Sequence, residues 1–216
     1  MGSRGASTTS GLTQAARAQA LPAAPPVAVT PPAATTFQEF DAIESQLFQD
    51  RDSVGHKTTE LERDALANYT GAHYSAINSR LRKDEPLGAE RTKWVKNLDK
   101  TIDKNRVKEN IVVHRGMELL GNSPLLAQLK PGAVFKDKGY GSTTVSKANA
   151  FSGNVQLKIR VKAGSKAMSV AKYSSYKGEQ EVLIGRNASY RVISATQKPG
   201  LYGSTRHLVT VELLDD

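Results

Sequence analysis

The chain carries two hydrophobic periodicities and keeps them apart. A helical repeat occupies residues 37–106, and a two-residue alternation takes over from Asn110. In the first part Leu61, Ala65, Leu66 and Tyr69 recur at three- and four-residue spacing. Gly71 interrupts, and Tyr74, Ile77, Asn78 and Leu81 continue the stripe towards Pro86. A further amphipathic helix is predicted from Ala89 to about Lys104, with Trp94, Val95 and Leu98 as its apolar face. In the second part strict alternation over 155–161 and 207–213 predicts half-buried strands. The β-branched run from Ile111 and shorter apolar pieces at Phe135, 182–184 and 190–193 complete the set. Turns are predicted at Lys130-Pro-Gly132, Lys162-Ala-Gly164 and Lys198-Pro-Gly200. Helices first and strands second imply an α+β domain.

Residues 1–36 stand outside both patterns. They are mostly Ala, Pro, Ser, Thr and Gly, with two arginines and no acids, so a disordered leader is expected there, followed by one domain over 37–216. That domain divides into a helical part, 37–106, and a mostly β part, 107–216. A domain of about 180 residues buries roughly two-thirds of its unfolded surface and needs no covalent staple. It has none: the chain holds no cysteine, which excludes disulfides, thiolate metal sites and a cysteine nucleophile. His56, His73, His114 and His207 are scattered without ligand spacing, so no metal is expected, and His114 is read as structural. No run of eighteen apolar residues occurs, so no transmembrane helix is expected. The leader lacks the apolar core and cleavage signature of a secretory signal peptide, and Ala6 stands where a myristoylation motif wants Ser or Thr. A net charge of +9 favours acidic partners.

Three short motifs could carry chemistry. Val113-His-Arg-Gly116 ends a predicted strand, where Arg115 could clamp a phosphate and Gly116 would let a backbone come close to a ligand. Gly139-Tyr-Gly-Ser-Thr-Thr-Val-Ser146 places three hydroxyls in a row behind two glycines. Tyr173-Ser-Ser-Tyr-Lys-Gly-Glu-Gln-Glu181 puts two carboxylates two residues apart at the mouth of a strand. Such a pair repels itself, which separates the pKa values and the roles of its members. Each motif alone also fits an ordinary solvated strand end.

Their order resembles the arginine–serine–glutamate class of ADP-ribosyltransferase toxins and effectors. The segment Leu66-Ala-Asn-Tyr-Thr-Gly-Ala-His-Tyr-Ser-Ala-Ile-Asn-Ser-Arg-Leu-Arg82 is similar to the helix that precedes the first strand in that family, so the resemblance covers about 37–216. It implies an ADP-ribosyltransferase-like fold, with N-terminal helices packed on a two-sheet, mainly antiparallel β core. It also implies NAD as substrate, bound by Arg115, Gly116, Ser142, Phe151 and Glu181. By the same resemblance Arg115, Ser142, Glu179 and Glu181 are catalytic. Ser142 orients Glu181, Glu181 stabilises the cation formed as nicotinamide leaves, and Glu179 takes the acceptor's proton. Phe151 is either a nicotinamide-stacking ring or a core residue; Tyr176 and Glu179 meet the protein substrate. Glutamate at the first position of Glu-x-Glu points to arginine as acceptor. Thr144 stands where the family's hydroxyl motif usually ends in serine, a change that keeps the hydroxyl.

The implied biology is a bacterial effector or toxin, secreted or delivered into another cell and acting on a target protein in its cytoplasm. An NAD glycohydrolase is the neighbouring alternative. A basic nucleic-acid- or protein-binding module is the other: Lys93, Lys96, Lys100 and Lys104 recur at helical spacing, but the usual nucleic-acid-binding signatures are missing.

Overall fold

The computed structural model describes residues 35–174, 176–200 and 204–214. The leader expected over 1–36 therefore lies outside the described residues up to residue 34.

Four helices come first: α1 (Ala42–Ser53), α2 (Glu60–Asn68), α3 (Tyr74–Arg82) and α4 (Ala89–Lys104). The helical reading from residue 37 is corrected at its start. Residues 37–41 are extended, with Gln38 bridged to Ile111 and Phe40 to Ser146. The reason is local: Asp41 accepts from the backbone N–H groups of Ile43 and Glu44 while Glu44 reaches back to Asp41, a capping box that starts α1 at Ala42. Thr59 and Glu62 form a second capping box that starts α2. Between α2 and α3 the turn Tyr69–His73 widens to a π-type turn, and Gly71 departs from helical geometry at φ −89, ψ −113.

Eight strands and a short helix follow: β1 (Ile111–Met117), α5 (Pro124–Gln128), β2 (Val134–Asp137), β3 (Gly141–Thr144), β4 (Val155–Val161), β5 (Ala167–Ser169), β6 (Glu181–Ile184), β7 (Ala188–Pro199) and β8 (Thr205–Leu214). They hydrogen-bond in the order β2-β7-β8-β4-β1-β3-β6-β5. Only β4 and β8 run parallel; every other pair is antiparallel. The connection between β1 and β3 rests on a single register pair, His114↔Thr144. It joins a five-stranded half to a three-stranded half.

Side-chain parity shows how the halves pack. Ile111 and Val113 of β1, Leu157 and Ile159 of β4 and Val209 and Val211 of β8 share one cluster with Ala167, Val182 and Ile184 from the smaller half. The two halves thus face each other across one core. Leu183 and Met168, of opposite parity, join a second cluster with Leu66, Tyr69, Ile77, Trp94 and Leu98, where the helices cover the smaller half. α4 buries Trp94, Val95, Leu98 and Ile102, one face at helical spacing, and exposes Lys93, Lys96 and Lys100.

Two further expectations change. Leu61 and Tyr74 belong to the helical stripe by spacing, yet they are 68% and 51% exposed, because the helices bury only the face carrying Leu66 and Ile77. The turn expected at Lys198-Pro-Gly200 is displaced: β7 runs through Pro199, paired with Thr205. The other two predicted turns hold, with Gly132 and Gly164 at positive φ.

Candidate active site

The seam between the two halves of the sheet opens into a cavity of about 270 Å³. Arg115, Ser142, Phe151, Tyr176, Glu179 and Glu181 all line it, so three motifs up to 66 residues apart in sequence meet at one place.

Arg115 leaves β1 on the core-facing side and is held by a partner that the motif reading missed. Its Nη1 lies 3.3 Å from Oδ2 of Asp137, at the end of β2. Asp137 is gripped from the other side by Arg82 of α3, whose Nε and Nη2 donate at 2.8 and 3.0 Å, and by the Gly139 N–H at 2.9 Å. Burial works to raise the Asp137 carboxyl, but the Arg82 hydrogen bond and the charges of Arg115 and Arg82 prevail and hold it below the usual carboxylate range. One half-buried carboxylate therefore fixes the direction of two guanidinium groups. Neither Asp137 nor Arg82 carries a local signal; an alternating strand ending in Asp before a glycine is the nearest clue.

Ser142 and Glu181 face each other diagonally across the β3–β6 pair, whose register sets Ser142 opposite Leu183 and Thr144 opposite Glu181. Ser142 hydrogen-bonds Glu181, which is only 8% exposed. Burial pushes the Glu181 carboxyl up to about 7, the Ser142 hydrogen bond opposes the shift, and the Glu179 charge adds to it. Behind them lies Tyr69, fully buried in the π-type turn. Asn78 Nδ2 donates to its phenol oxygen at 2.8 Å, Tyr69 also hydrogen-bonds Ser142, and burial raises the phenol to about 12. With its oxygen occupied as acceptor, the phenol has its proton free for Ser142, which leaves the serine hydroxyl proton for Glu181. The sequence reading placed Tyr69 in a helical stripe and gave it no part in the site. The other two hydroxyls of the motif turn elsewhere: Thr143 donates to Val182 O at 2.6 Å, and Thr144 accepts from Ser146 N.

The rim is built differently. Glu179 is exposed on a 3-10 turn, Lys177–Glu179, directly before β6. Tyr176 is 58% exposed and Phe151 65% exposed, so Phe151 is a rim residue and the core alternative is corrected. Gly116 is not among the lining residues. A Cβ there would sit 1.6 Å from the Phe151 carbonyl oxygen, so the missing side chain lets the loop bearing Phe151 close on β1. His114, read from the sequence as structural, also borders the cavity; burial holds its imidazole below the usual value, with Glu39 opposing and Lys147 and Lys158 adding to the shift. Among the described residues no group of three or more His, Asp or Glu side chains is placed to hold a metal ion.

A buried carboxylate that titrates near neutrality, beside an arginine preset by a carboxylate, suits a ligand with an anionic part and a centre that becomes cationic. Residues 38–215 match the model of the ADP-ribosyltransferase exoenzyme family. The chain is 31% identical to the mono-ADP-ribosyltransferase C3 of Hathewaya limosa, over 74% of either chain. It is 34% identical to a putative NAD(+)–arginine ADP-ribosyltransferase, Mav, of Mycobacterium avium, over 62% of this chain and 16% of that much longer protein. The crystal structure of the Clostridium limosum C3 exoenzyme superposes with a TM-score of 0.71 at 27% identity, covering 84% of this chain and 98% of the other. The family match spans nearly all of the described residues, and the chain belongs to the ADP-ribosyltransferase exoenzyme family.

Proposed function

We propose that the protein cleaves NAD at the bond between nicotinamide and ribose and transfers the ADP-ribose to an arginine side chain of a target protein. The observation that carries this reading is the pairing of a buried, serine-bound carboxylate, Glu181, with an exposed one, Glu179, in the cavity that also holds Arg115. The residues fit NAD. Arg115, pre-aimed by Asp137, supplies a charge-assisted contact for a phosphate, and Phe151 presents an open ring face for nicotinamide.

In the proposed reaction the C–N glycosidic bond breaks and nicotinamide leaves with the electron pair. The remaining cation forms on the ribose beside Glu181, whose carboxylate accepts from a ribose hydroxyl and whose charge opposes the developing positive charge. Its raised pKa has a mechanistic use: a carboxylate that burial has made costly to ionise gains most from a neighbouring cation. The acceptor nitrogen then attacks the anomeric carbon and yields its proton to Glu179. A guanidinium is a poor nucleophile while charged, so this proton transfer and the orientation between two carboxylates are the activating steps. Tyr176, exposed beside Glu179, meets the target protein.

The acceptor assignment rests on Glu179. Overall similarity reaches proteins named C3, whereas the Glu-x-Glu pair supports arginine-directed chemistry of the kind that the name of Mav carries. We place the protein's action in a recipient cell's cytoplasm, as an effector or toxin; no helix among the described residues is long and apolar enough to cross a membrane. Incubation with labelled NAD and cell lysate, beside the Glu181→Ala variant, tests the proposal. Label on discrete protein bands only with the intact protein supports it, and free ADP-ribose without labelled protein turns the reading to a glycohydrolase. No NAD turnover from folded protein overturns it.

A further inference from the structure

We infer that Gln49, on α1 and outside the cavity lining, is the positioning residue that sets Glu179 relative to Glu181, acting through the backbone of Gln180; the inference rests on the proposed roles of the two glutamates. Gln180 separates them and takes a left-handed conformation at φ 50, which a residue with a side chain adopts only under constraint. The conformation has a consequence for the pair. Residues two apart on a continuous strand project to the same face. The left-handed residue breaks that alternation, so Glu181 starts β6 with its side chain buried while Glu179 stays on the 3-10 turn, exposed.

The constraint is visible. Gln49 Nε2 donates to the Gln180 carbonyl at 3.1 Å in a buried bond, and Val145 N reaches the same oxygen at 3.4 Å. Gln49 is itself fixed: Ser169 Oγ of β5 donates to its Oε1, and Ser169 N donates to Asp52 Oδ2, one turn further along α1, at 3.1 Å. Both ends of one primary amide are used, the oxygen towards β5 and the nitrogen towards Gln180, and Gln49 is only 3% exposed. From the other side Asn149 Nδ2 donates to Gly178 O at 2.8 Å and lies 3.4 Å from Gln180 Oε1. Glu181 has independent anchors in the ladder to β3 and in Ser142. Glu179 has no strand partner, so loss of the clamp falls on Glu179 first.

The test uses the full chain and two near-isosteric variants. Gln49→Met removes both hydrogen bonds; Gln49→Glu keeps an acceptor for Ser169 but turns an acceptor towards the Gln180 carbonyl. With agmatine as a small guanidine acceptor, either variant is expected to lose transfer by about tenfold or more, since small misplacements of a reacting group are costly. Release of nicotinamide to water should fall by no more than about twofold, with the KM for NAD unchanged, because Glu181 keeps its anchors. Glycine adopts the left-handed conformation without strain, so Gln49→Met with Gln180→Gly should recover most of the transfer. A purely structural role for Gln49 would show no such rescue. Amide hydrogen exchange over residues 176–181 supplies a readout free of activity: faster in Gln49→Met than in the parent. Faster exchange in a chain without NAD turnover would sustain the clamp and overturn the enzyme reading. Unchanged exchange, or equal loss of transfer and hydrolysis in a variant that melts like the parent, would overturn the clamp.

Discussion

The floor and the rim of the cavity hold one carboxylate each, two residues apart in sequence and in opposite physical settings. Glu181 begins a strand paired on both sides, by β3 and by β5, and its side chain is buried against Ser142. Glu179 sits on a single turn among exposed aromatic rings. The floor is built from ladder hydrogen bonds and core packing, which hold a geometry to fractions of an ångström. The rim is made of connections, which accommodate a partner of different shape more easily. On the proposed mechanism NAD cleavage, common to every turnover, belongs to the floor, and choice of acceptor belongs to the rim.

The comparison is most exposed to Glu181→Gln. Transfer and hydrolysis should both fall by about a thousandfold or more, in line with losing a group that acts only in the transition state. The same change should stabilise the fold above neutrality. The folded pKa of about 7 lies above the ordinary 4.5, so from pH 4.5 to 7 the unfolded chain releases its proton first and the native protein loses stability as pH rises. Glutamine escapes that loss, on the order of 3 kcal/mol when complete. Thermal melting should show a gap in favour of the variant at pH 8 that closes near pH 4; a gap in the opposite direction would contradict a buried, costly charge.

Glu179→Gln comes next. Transfer to a guanidine acceptor should drop by about a hundredfold while nicotinamide release to water is largely kept, measured side by side with labelled NAD. Equal loss of both would erase the division between floor and rim. Arg115→Ala should raise the KM for NAD by about ten- to a hundredfold, the worth of a charge-assisted contact, with Asp137→Asn showing a smaller rise in the same direction. If Asp137→Asn left KM unmoved, the carboxylate would not be aiming Arg115.

Gly116→Ala probes the connection between the two regions. The added methyl meets the Phe151 carbonyl at 1.6 Å, a backbone contact, so the loop must shift, and a several-fold rise in KM together with a lowered melting temperature is expected. The smallest effect is the pH profile of the intact protein. Its NAD hydrolysis at low substrate should climb as Glu181 ionises around pH 7 and level off above it. A profile flat from pH 5 to 8 would mean that the carboxylate is ionised throughout.

Much of this could be read along the chain because the relevant signals are local. Alternation over 155–161 and 207–213 reports which side chains enter the core, and the helix from Ala89 is marked by Trp94, Val95 and Leu98. Arg115, Ser142, Glu179 and Glu181 were legible through three short motifs whose order resembles one family. What stayed hidden depends on partners distant in sequence. Gln49 meets Gln180 across 131 positions, Arg82 meets Asp137 across 55, and neither pairing leaves a trace in its own neighbourhood. Leu61 shows the converse: helical spacing puts it in an apolar stripe, but only contact with another element decides whether a stripe is covered, and Leu61 is left in water.

The sequence by itself therefore determined the class of fold, the position of most elements and the candidate residues that the fold gathers at one cavity, since propensity, period and functional-group chemistry are properties of short segments. The tertiary structure decided which carboxylate is buried, that Arg115 is aimed by Asp137, that Tyr69 stands behind Ser142, and that a glutamine on the first helix grips the residue between the two glutamates. Those are matters of desolvation and of distances between remote segments, and both come into being only when the two halves of the sheet close on one another.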